Sequence, residues 1–296
     1  MRPAIRAATR GSVLARRQTE LVLARLRGRE FVAELTAVEV QAAGDLAPDT
    51  LPEAMAGEGW FSSALERSLA TGDAELAVHS AKDLPSRLAA GMGVAAYLPR
   101  ADPRDAVVTA DGAPWRRLPS RARVATGSPR RAAQLMSVRP DLSIVPIRGN
   151  VDTRLERLAE GAADAVVVAL AGLERLGRAA GAQPLDPYRE CTPAPAQGAI
   201  AVEARRGSDA WVFVESIDDP ATRLCCETER AVLAHLGGGC RLPLGVLAET
   251  VAGERVRLTA AFLPGSGPGV GLRRRTSEGP AGEALQLAAE MARALR

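Results

Sequence analysis

Lys82 and Asp83 follow a short apolar run, in a segment that reads His-Ser-Ala-Lys-Asp-Leu-Pro over residues 79–85. Residues 76–78 are predicted to form a buried strand, and ligands of open α/β sheets bind at the carboxyl ends of strands. A carboxylate among cations stays ionised, and there it could stabilise a developing carbocation or pass a proton to a leaving amine. The alternative is that Asp83 pairs with Lys82 or caps the next helix. We expect His79 to be a packed or hydrogen-bonded strand-end residue.

Lys82 is the only lysine among 38 basic residues, and all the others are arginine. A coding bias toward arginine explains most of that skew. The one remaining lysine still marks a position where a guanidinium is unsuitable, because a lysine is a compact ammonium with an adjustable pKa. The segment around Lys82 is therefore a candidate functional site.

Arginines stand at several predicted strand-to-helix junctions. A guanidinium beside the backbone N–H groups of a helix N-terminus makes a site for a carboxylate or a phosphate. The segments are Thr9-Arg10, Ser128-Pro129-Arg130-Arg131, Arg148-Gly149-Asn150, Arg154 and Arg175. Each one alone could be a solvated surface charge. Because the pattern recurs in both halves of the chain, we expect a cleft that binds a molecule with several carboxylates.

Cys240 follows three glycines and precedes Arg241. Flexible glycines leave the thiol accessible, and the neighbouring guanidinium favours the thiolate. The alternative is an inert loop cysteine. Cys225 and Cys226 lie in a predicted helix and are interpreted as packing residues. The cysteines form no CxxC pair and no Cys/His ligand spacing, so we predict neither a metal site nor a disulfide scaffold.

The elements that must position these residues alternate between strand and helix over most of the chain. Strands are predicted near residues 5–8, 31–40, 76–78, 123–126, 143–147, 164–170 and 199–203. Turn-rich segments at 99–105 and 184–197 are candidate crossings between two similar α/β lobes. After residue 218 the pattern changes to a long helix, two or three antiparallel strands and a closing helix at 282–295, which indicates a small α+β domain.

This pattern predicts three domains. The first covers residues 1–98 and is completed by 197–217, the second covers 99–196, and the third covers 218–296 and contains the candidate cysteine. Two similar lobes joined by two crossings describe a hinged architecture for ligand binding.

Composition argues against several classes of protein. Hydrophobic residues make up 47% and charged residues 25% of the chain, at a net charge of +3, which is ordinary globular usage. The low net charge and only 3% aromatic residues argue against nucleic-acid binding. No apolar stretch is long enough to span a membrane, and the first residues lack the apolar segment of a secretory signal. We therefore expect a cytoplasmic protein that binds a small molecule and neither nucleic acid nor membrane.

Taken together, these segments resemble the porphobilinogen deaminase (hydroxymethylbilane synthase) family of tetrapyrrole biosynthesis. The matching motifs occur in the family's order through nearly the whole chain. They are Ile5-Arg6-Ala7-Ala8-Thr9-Arg10 with Gln18, residues 79–85, Asp102-Pro103-Arg104-Asp105-Ala106, Gly127-Ser128-Pro129-Arg130-Arg131, residues 148–155, residues 171–177, Gln197-Gly198-Ala199 and Gly238-Gly239-Cys240-Arg241-Leu242-Pro243.

The resemblance implies two binding-protein-like, doubly wound α/β lobes and a small C-terminal α+β domain that presents Cys240. In that family the cysteine holds a dipyrromethane cofactor through a thioether, made by the enzyme from its own substrate. Four porphobilinogen units then add head to tail, each losing ammonia, and water releases the linear hydroxymethylbilane. Each pyrrole carries an acetate and a propionate, which accounts for the arginines.

By the same resemblance Asp83 is the catalytic carboxylate, which assists ammonia loss and stabilises the cationic intermediate. The residues implied to bind the cofactor are Cys240, Lys82, Ser80, Thr126, Ser128, Arg130, Arg131, Arg148 and Arg154. The residues implied to bind the substrate or the growing chain are Arg10, Ser12, Gln18, Arg175 and Gln197. No metal is implied.

The chain departs from the family's pattern in three places. Residues 55–61 read Met-Ala-Gly-Glu-Gly-Trp-Phe where many members have a Gly-Gly-Lys-Gly mobile-loop segment, so Glu58 replaces a cation. Gly127 replaces a hydroxyl residue, and Ala196 replaces the usual glycine before Gln-Gly. Asp83 and Cys240 are both retained, so the sequence predicts an enzyme.

Two other functions stay open at the level of sequence. One is a non-catalytic, two-lobed binder of a small polycarboxylate, in which Cys240 would have no role. The other is an arginine-rich nucleic-acid binder, which predicts an affinity for DNA that falls steeply with salt.

Overall fold

The computed structural model describes residues 4–28, 34–41, 63–238, 242–265 and 271–296. The chain divides into two compact units. Unit 1 contains residues 1–101 and 199–223, and unit 2 contains residues 102–198 and 224–296.

The described residues form strands and helices in the following order. The strands are β1 (Ala4–Arg10), β2 (Glu34–Val40), β3 (Leu76–Ser80), β4 (Met92–Tyr97), β5 (Asp105–Thr109), β6 (Arg123–Ala125), β7 (Ser143–Val145), β8 (Ala165–Ala169), β9 (Gln183–Pro184), β10 (Ile200–Arg205), β11 (Leu244–Val251), β12 (Arg255–Phe262) and β13 (Arg273–Pro280). The α-helices are α1 (Val13–Arg27), α2 (Ser63–Thr71), α3 (Pro129–Val138), α4 (Val151–Ala159), α5 (Leu170–Arg175), α6 (Asp209–Glu215), α7 (Pro220–His235) and α8 (Ala284–Leu295). Short 3₁₀ turns lie at Ala81–Asp83, Trp115–Arg117 and Ala281–Glu283.

Unit 1 is built on a five-stranded mixed sheet in the order β2-β1-β3-β10-β4. β1 is parallel to β2 and β3, whereas β10 is antiparallel to β3 and β4. Apolar residues of α1 and α6 pack on one face of the sheet, and those of α2 pack on the other. A sheet covered on both faces needs strands without a polar side, and β3 shows this, because Leu76, Ala77 and Val78 are all buried.

Unit 2 contains a second five-stranded mixed sheet in the order β7-β6-β8-β5-β9. β6 is parallel to β7 and β8, and β5 is antiparallel to β8 and β9. α3 contributes to the core on one face, and α4 and α5 contribute to the core on the other. α3 begins as the sequence requires, with Pro129 in its first turn and Ser128 as its N-cap.

The remainder of unit 2 is a three-stranded antiparallel sheet in the order β11-β12-β13. α7 and α8 supply Val232, Ala288 and Met291 to a core that includes Val246 and Leu258. This sheet has its own hydrophobic core and no strand in common with the two five-stranded sheets.

The predicted α/β class with a separate α+β C-terminal region is confirmed. The strands β4, β5 and β9 were not predicted, and β5 begins at Asp105, inside the segment interpreted as a turn-rich crossing. The three domain boundaries stay a prediction. Among the residues that the structure describes, no helix combines the length and apolarity that a bilayer crossing requires.

Candidate functional site

In unit 1, the candidate residues follow the carboxyl ends of two neighbouring parallel strands. β1 ends at Arg10 and β3 ends at Ser80, so both residues lie at the same edge of the sheet. Ser12 caps α1 and accepts a hydrogen bond from the backbone N–H of Ala15 at 3.2 Å. A Cβ on Gly11 would lie 2.5 Å from Oε1 of Glu39, so a side chain between the strand and the helix would displace that flexible carboxylate.

Gln18 and Ser80 form a buried polar pair across this edge. Gln18 is 3% exposed, and its Nε2 lies 2.8 Å from Oγ of Ser80. The amide therefore fixes the direction of the hydroxyl at the end of β3. This places Gln18 behind Ser80, and its direct contact with substrate stays a prediction.

Asp83 ends the 3₁₀ turn that follows β3. The turn is anchored on both sides by buried residues: Ala81 donates its N–H to the carbonyl of Ala199 at 3.1 Å, and Leu84 is 2% exposed. Lys82 and Asp83 themselves are half-buried. The Asp83 carboxylate makes no hydrogen bond or ion pair with another residue in the part of the chain that the structure describes. Neither Lys82 pairing nor helix capping therefore explains this carboxylate.

His79 is a packed residue, as expected, and lies on the buried face that α2 covers. Its Nε2 is 2.9 Å from Oε2 of Glu203, without the alignment of a hydrogen bond, and both side chains are buried. Glu66 of α2 is close enough for the charge of Glu203 to act on it, and its Oε1 is buried without a hydrogen-bond partner among described residues. Burial raises the pKa of Glu66, and the neighbouring Glu203 raises it further.

In unit 2, the candidate residues again follow the carboxyl ends of parallel strands, here β6, β7 and β8. Thr126 comes directly after β6, is 4% exposed, and accepts a hydrogen bond from the N–H of Ser128 at 3.1 Å. The glycine between them has a steric cause, because a Cβ on Gly127 would lie 2.7 Å from the carbonyl oxygen of Ile147. Gly127 thus lets the turn after β6 approach the turn after β7.

Arg130 and Arg131 share one buried carboxylate, that of Asp105. Nη1 of Arg130 lies 2.6 Å from Oδ2, and Nε and Nη2 of Arg131 lie 2.9 and 2.7 Å from Oδ1. Both arginines are 5% exposed, and Asp105 is fully buried. Burial alone would raise the pKa of Asp105, but the two guanidinium charges outweigh it and hold that pKa far below its ordinary range.

Gln197 also joins this cluster. It is 1% exposed, and its Nε2 donates to Oδ1 of Asp105 at 3.0 Å and to the carbonyl of Pro103 at 2.8 Å. The structure thus places this amide in the interior, and a contact between Gln197 and substrate stays a prediction.

The three remaining candidate arginines of unit 2 differ in their hydrogen-bond partners. Arg148 is exposed, and its guanidinium forms no hydrogen bond or ion pair with another described residue. Arg154 donates from Nε to the carbonyl of Gly149 at 2.8 Å. Arg175 donates to the carbonyl of Gly198 at 2.6 Å and has no carboxylate partner among described residues. Burial lowers the pKa of Arg175 to about 10, although Glu174 opposes the shift, so an anion at this guanidinium would be strongly favoured.

Cys240 and Arg241 lie outside the described residues, as does the departing segment 55–61. The chain on either side of the cysteine is described: α7 ends at His235, Gly237 has a φ of +69°, and a Cβ on Gly238 would lie 2.6 Å from Cδ2 of Leu242. The interpretation of Cys225 and Cys226 as packing residues agrees with their burial in α7.

The remaining cysteine, Cys191, is unsuited to covalent attachment. It is fully buried and its Sγ donates to Oδ2 of Asp105 at 3.3 Å. Burial raises the pKa of this thiol to about 12, and the Asp105 carboxylate adds to the rise, so it stays protonated.

Sequence reasoning missed Asp105 as a functional candidate. Its motif, Asp-Pro-Arg-Asp at residues 102–105, predicts a charged turn and contributes to the family resemblance, but it does not by itself indicate a functional carboxylate. A carboxylate that opens a buried strand in a chain rich in arginine is the signal that could have identified it, because such a group must be paired.

The chain matches two family models in sequence order. One is described as "Porphobilinogen deaminase, dipyromethane cofactor binding domain" and matches residues 5–212. The other is described as "Porphobilinogen deaminase, C-terminal domain" and matches residues 223–296.

Curated relatives align over most of their own length. The porphobilinogen deaminase of Cutibacterium acnes is 48% identical over 261 residues, which are 83% of this chain and 77% of that protein. The porphobilinogen deaminase of Roseiflexus castenholzii is 41% identical over 293 residues, which are 98% of this chain and 96% of that protein. Among solved structures, the methionine binding protein MetQ matches 72% of this chain and 89% of its own at a TM-score of 0.44 and 9% identity, too distant to support an argument. Because the two family models and these relatives match most of the chain, it belongs to the porphobilinogen deaminase family of enzymes.

Proposed function

We propose that this chain is a transferase that joins four porphobilinogen units head to tail into hydroxymethylbilane, with release of ammonia at each addition, in tetrapyrrole biosynthesis. Family membership supports this. The observation that carries it within the molecule is the Asp83 carboxylate at the end of β3, beside Lys82 and Ser80 and without an ion pair to any described residue. We further propose that the chain acts in the cytoplasm as a monomer.

The residues of unit 2 fit the dipyrromethane cofactor that the family model names. A dipyrromethane made from porphobilinogen carries an acetate and a propionate on each ring, so it must be met by several cations. Arg130 donates hydrogen bonds to described residues through Nη1 alone, and the Arg148 guanidinium donates none to them. Both arginines therefore keep N–H donors for carboxylates. Attached to Cys240 through a thioether, the cofactor would supply the pyrrole carbon on which the chain is extended.

Asp83 would act by proton transfer. Porphobilinogen loses its amino group as ammonia, which requires a proton on the departing nitrogen. A carboxyl group that gives this proton becomes a carboxylate, and the carboxylate then stabilises the positive charge left on the substrate. Because Asp83 has no described ion-pair partner, its charge is available for that role.

The other site residues divide into ligand contacts and supports. We propose that Lys82, Ser80, Arg130, Arg148 and Arg154 bind carboxylates of the cofactor, and that Arg10 and Arg175 bind those of the substrate or the growing chain. The hydroxyl groups of Thr126 and Ser128 hold the turn from which Arg130 projects, with Ser128 accepting from the N–H of Arg131 at 3.5 Å. Ser12 holds the first turn of α1 in the same way.

The intact mass of the purified protein tests this function. We expect an excess over the sequence mass equal to two linked pyrrole units, and we expect Cys240→Ser to lack it. The matched control is Cys225→Ser, which alters a buried packing cysteine and should keep the excess. A bare wild-type mass that persists after incubation with porphobilinogen would contradict the proposal and favour a binding protein that lacks the chemistry.

A further inference from the structure

Asp105 lies at the meeting point of three chain segments of unit 2. It is the first residue of β5, the two arginines come from the first turn of α3, and Cys191 and Gln197 come from the segment after β9. All of these side chains except those of the arginines are at most 1% exposed, and the arginines are 5% exposed. The motif that contains Asp105 has no role in the function proposed above.

The segment after β9 is itself fixed against the three-stranded sheet. The carbonyl of Pro193 accepts from the N–H of Val246 in β11 at 2.8 Å. Glu229 of α7, which is fully buried, accepts from the N–H of Ala196 at 2.5 Å and from that of Ala248 at 2.7 Å. The side chains of Cys191 and Gln197 that contact Asp105 are therefore carried by a backbone that hydrogen bonds hold in place.

The two arginines use their donors differently. Arg131 donates with all three nitrogens, through Nε and Nη2 to Asp105 and through Nη1 to the carbonyl of Val167 at 2.9 Å. Arg130 donates only through Nη1, to Asp105, to the carbonyl of Thr192 at 2.8 Å and to Sγ of Cys191. Its Nε and Nη2 have no acceptor among the residues that the structure describes.

The charges of this cluster do not cancel. Asp105 supplies one negative charge and the two arginines supply two positive charges, while Cys191 is a neutral thiol. One positive charge in a nearly buried cluster remains without a counterion, and an uncompensated buried charge is costly. A carboxylate of a ligand at Nε and Nη2 of Arg130 would remove that cost in a bidentate geometry.

We propose that Asp105 is a positioning residue, which holds Arg130 by one nitrogen so that the other two face a carboxylate of the dipyrromethane, and that Arg131 braces Asp105 rather than contacting the ligand. The inference rests on the function proposed above. Asp105 acts through Arg130, so replacing Asp105 should lower the rate of cofactor loading more than it lowers the stability of the fold.

Cofactor loading by the apo protein tests this role. Asp105→Asn is compared with wild type and with Asp218→Asn, which removes a similar carboxylate from Arg223 and from the N–H of Tyr97 in unit 1. After incubation with porphobilinogen, intact mass gives the loading rate and thermal unfolding gives stability. We expect Asp105→Asn to load about tenfold more slowly or worse, as the loss of a charge-assisted hydrogen bond implies. We expect Asp218→Asn to load as wild type does, and Asp105→Glu to load at an intermediate rate.

Wild-type loading by Asp105→Asn would overturn the proposal, as would equal losses in the two Asn variants at equal stability. If Asp105→Asn does not fold, wild-type loading by Asp105→Glu overturns it.

A second readout does not depend on the pyrrole chemistry: the ¹⁵N Nε–H NMR signal of Arg130, assigned with Arg130→Lys. A single sharp signal in wild type that broadens in Asp105→Glu supports the role, and an unchanged signal contradicts it. If wild type gains no pyrrole mass, the proposed function fails, and this signal still decides whether Asp105 fixes Arg130.

Discussion

At the scale of single residues, the buried polar groups of the candidate sites are paired with one another, and some of the less buried charged groups are not. Gln18 orients Ser80, Asp105 holds two arginines, and Asp83 and Arg148 have no described ion-pair partner. Asp83 and the arginines could be predicted from sequence because motif and strand end coincide. The buried contact between Asp105 and Gln197 could not, because it joins segments about ninety residues apart, which no local pattern records.

Asp83→Asn tests the proton transfer. The amide cannot give a proton or carry a negative charge, so we expect the protein to fold and to retain its cofactor mass, with turnover reduced by about two orders of magnitude or more. Product formation from porphobilinogen measures turnover, and Asp73→Asn, an exposed carboxylate of the same unit, is the control. Near-normal turnover in Asp83→Asn would remove this residue from the catalytic role.

Ala196→Gly tests the cost of the third departure from the family's pattern. Ala196 has a φ of +60°, in the left-handed region that costs a residue with a Cβ roughly 1–2 kcal/mol. Glycine avoids this strain but loses more chain entropy on folding, by about 0.5–1 kcal/mol. We therefore expect a gain of up to about 1 kcal/mol in the free energy of unfolding, measured by denaturant titration. Ala194→Gly, on the same segment with a negative φ, should lose stability, and a loss at both positions would contradict the strain.

At the scale of elements, the parallel strands and the helices that follow them were predictable, because their apolar runs end in polar turns. The strands β4, β5 and β9 were not. β9 has two residues, and β5 starts immediately after a charged turn, so neither has a periodic pattern of its own. Their place in the sheets is decided by pairing with distant strands, as β5 pairs with β8.

The packing of α2 on its sheet predicts a dependence of stability on pH. Because the folded state raises the pKa of Glu66 above its ordinary value of 4.5, the protonated form is favoured on folding, and that stability is lost as pH rises through the raised pKa. Glu66→Gln imitates the protonated form. We expect the advantage of the variant over wild type to grow as pH rises from about 4.5 through the raised pKa and then to level off, in thermal unfolding across this range. Glu20→Gln, on an exposed ion pair, should show no such trend, and a pH-independent difference for Glu66→Gln would contradict the buried charge.

At the scale of the whole molecule, the positions of the charged residues indicate the candidate sites, whereas the net charge does not. A net charge of +3 is small for 38 basic residues, because most of them are balanced by 35 acidic ones. What distinguishes the candidate sites is that cations such as Arg148 and Arg175 lack carboxylate partners among the described residues. Composition could therefore argue against a nucleic-acid-binding surface, but only the structure separates these arginines from those in ion pairs.

The position of β10 constrains the order in which the chain can fold as it leaves the ribosome. β10 lies between β3 and β4, yet it is synthesised about a hundred residues after β4. Until residue 205 has emerged, the first sheet lacks the strand that joins β4 to β2-β1-β3 by hydrogen bonds. The second sheet, whose strands all lie between residues 105 and 184, is by then complete. The second sheet can therefore be completed before the first, whereas the N-terminal part of a chain usually folds first.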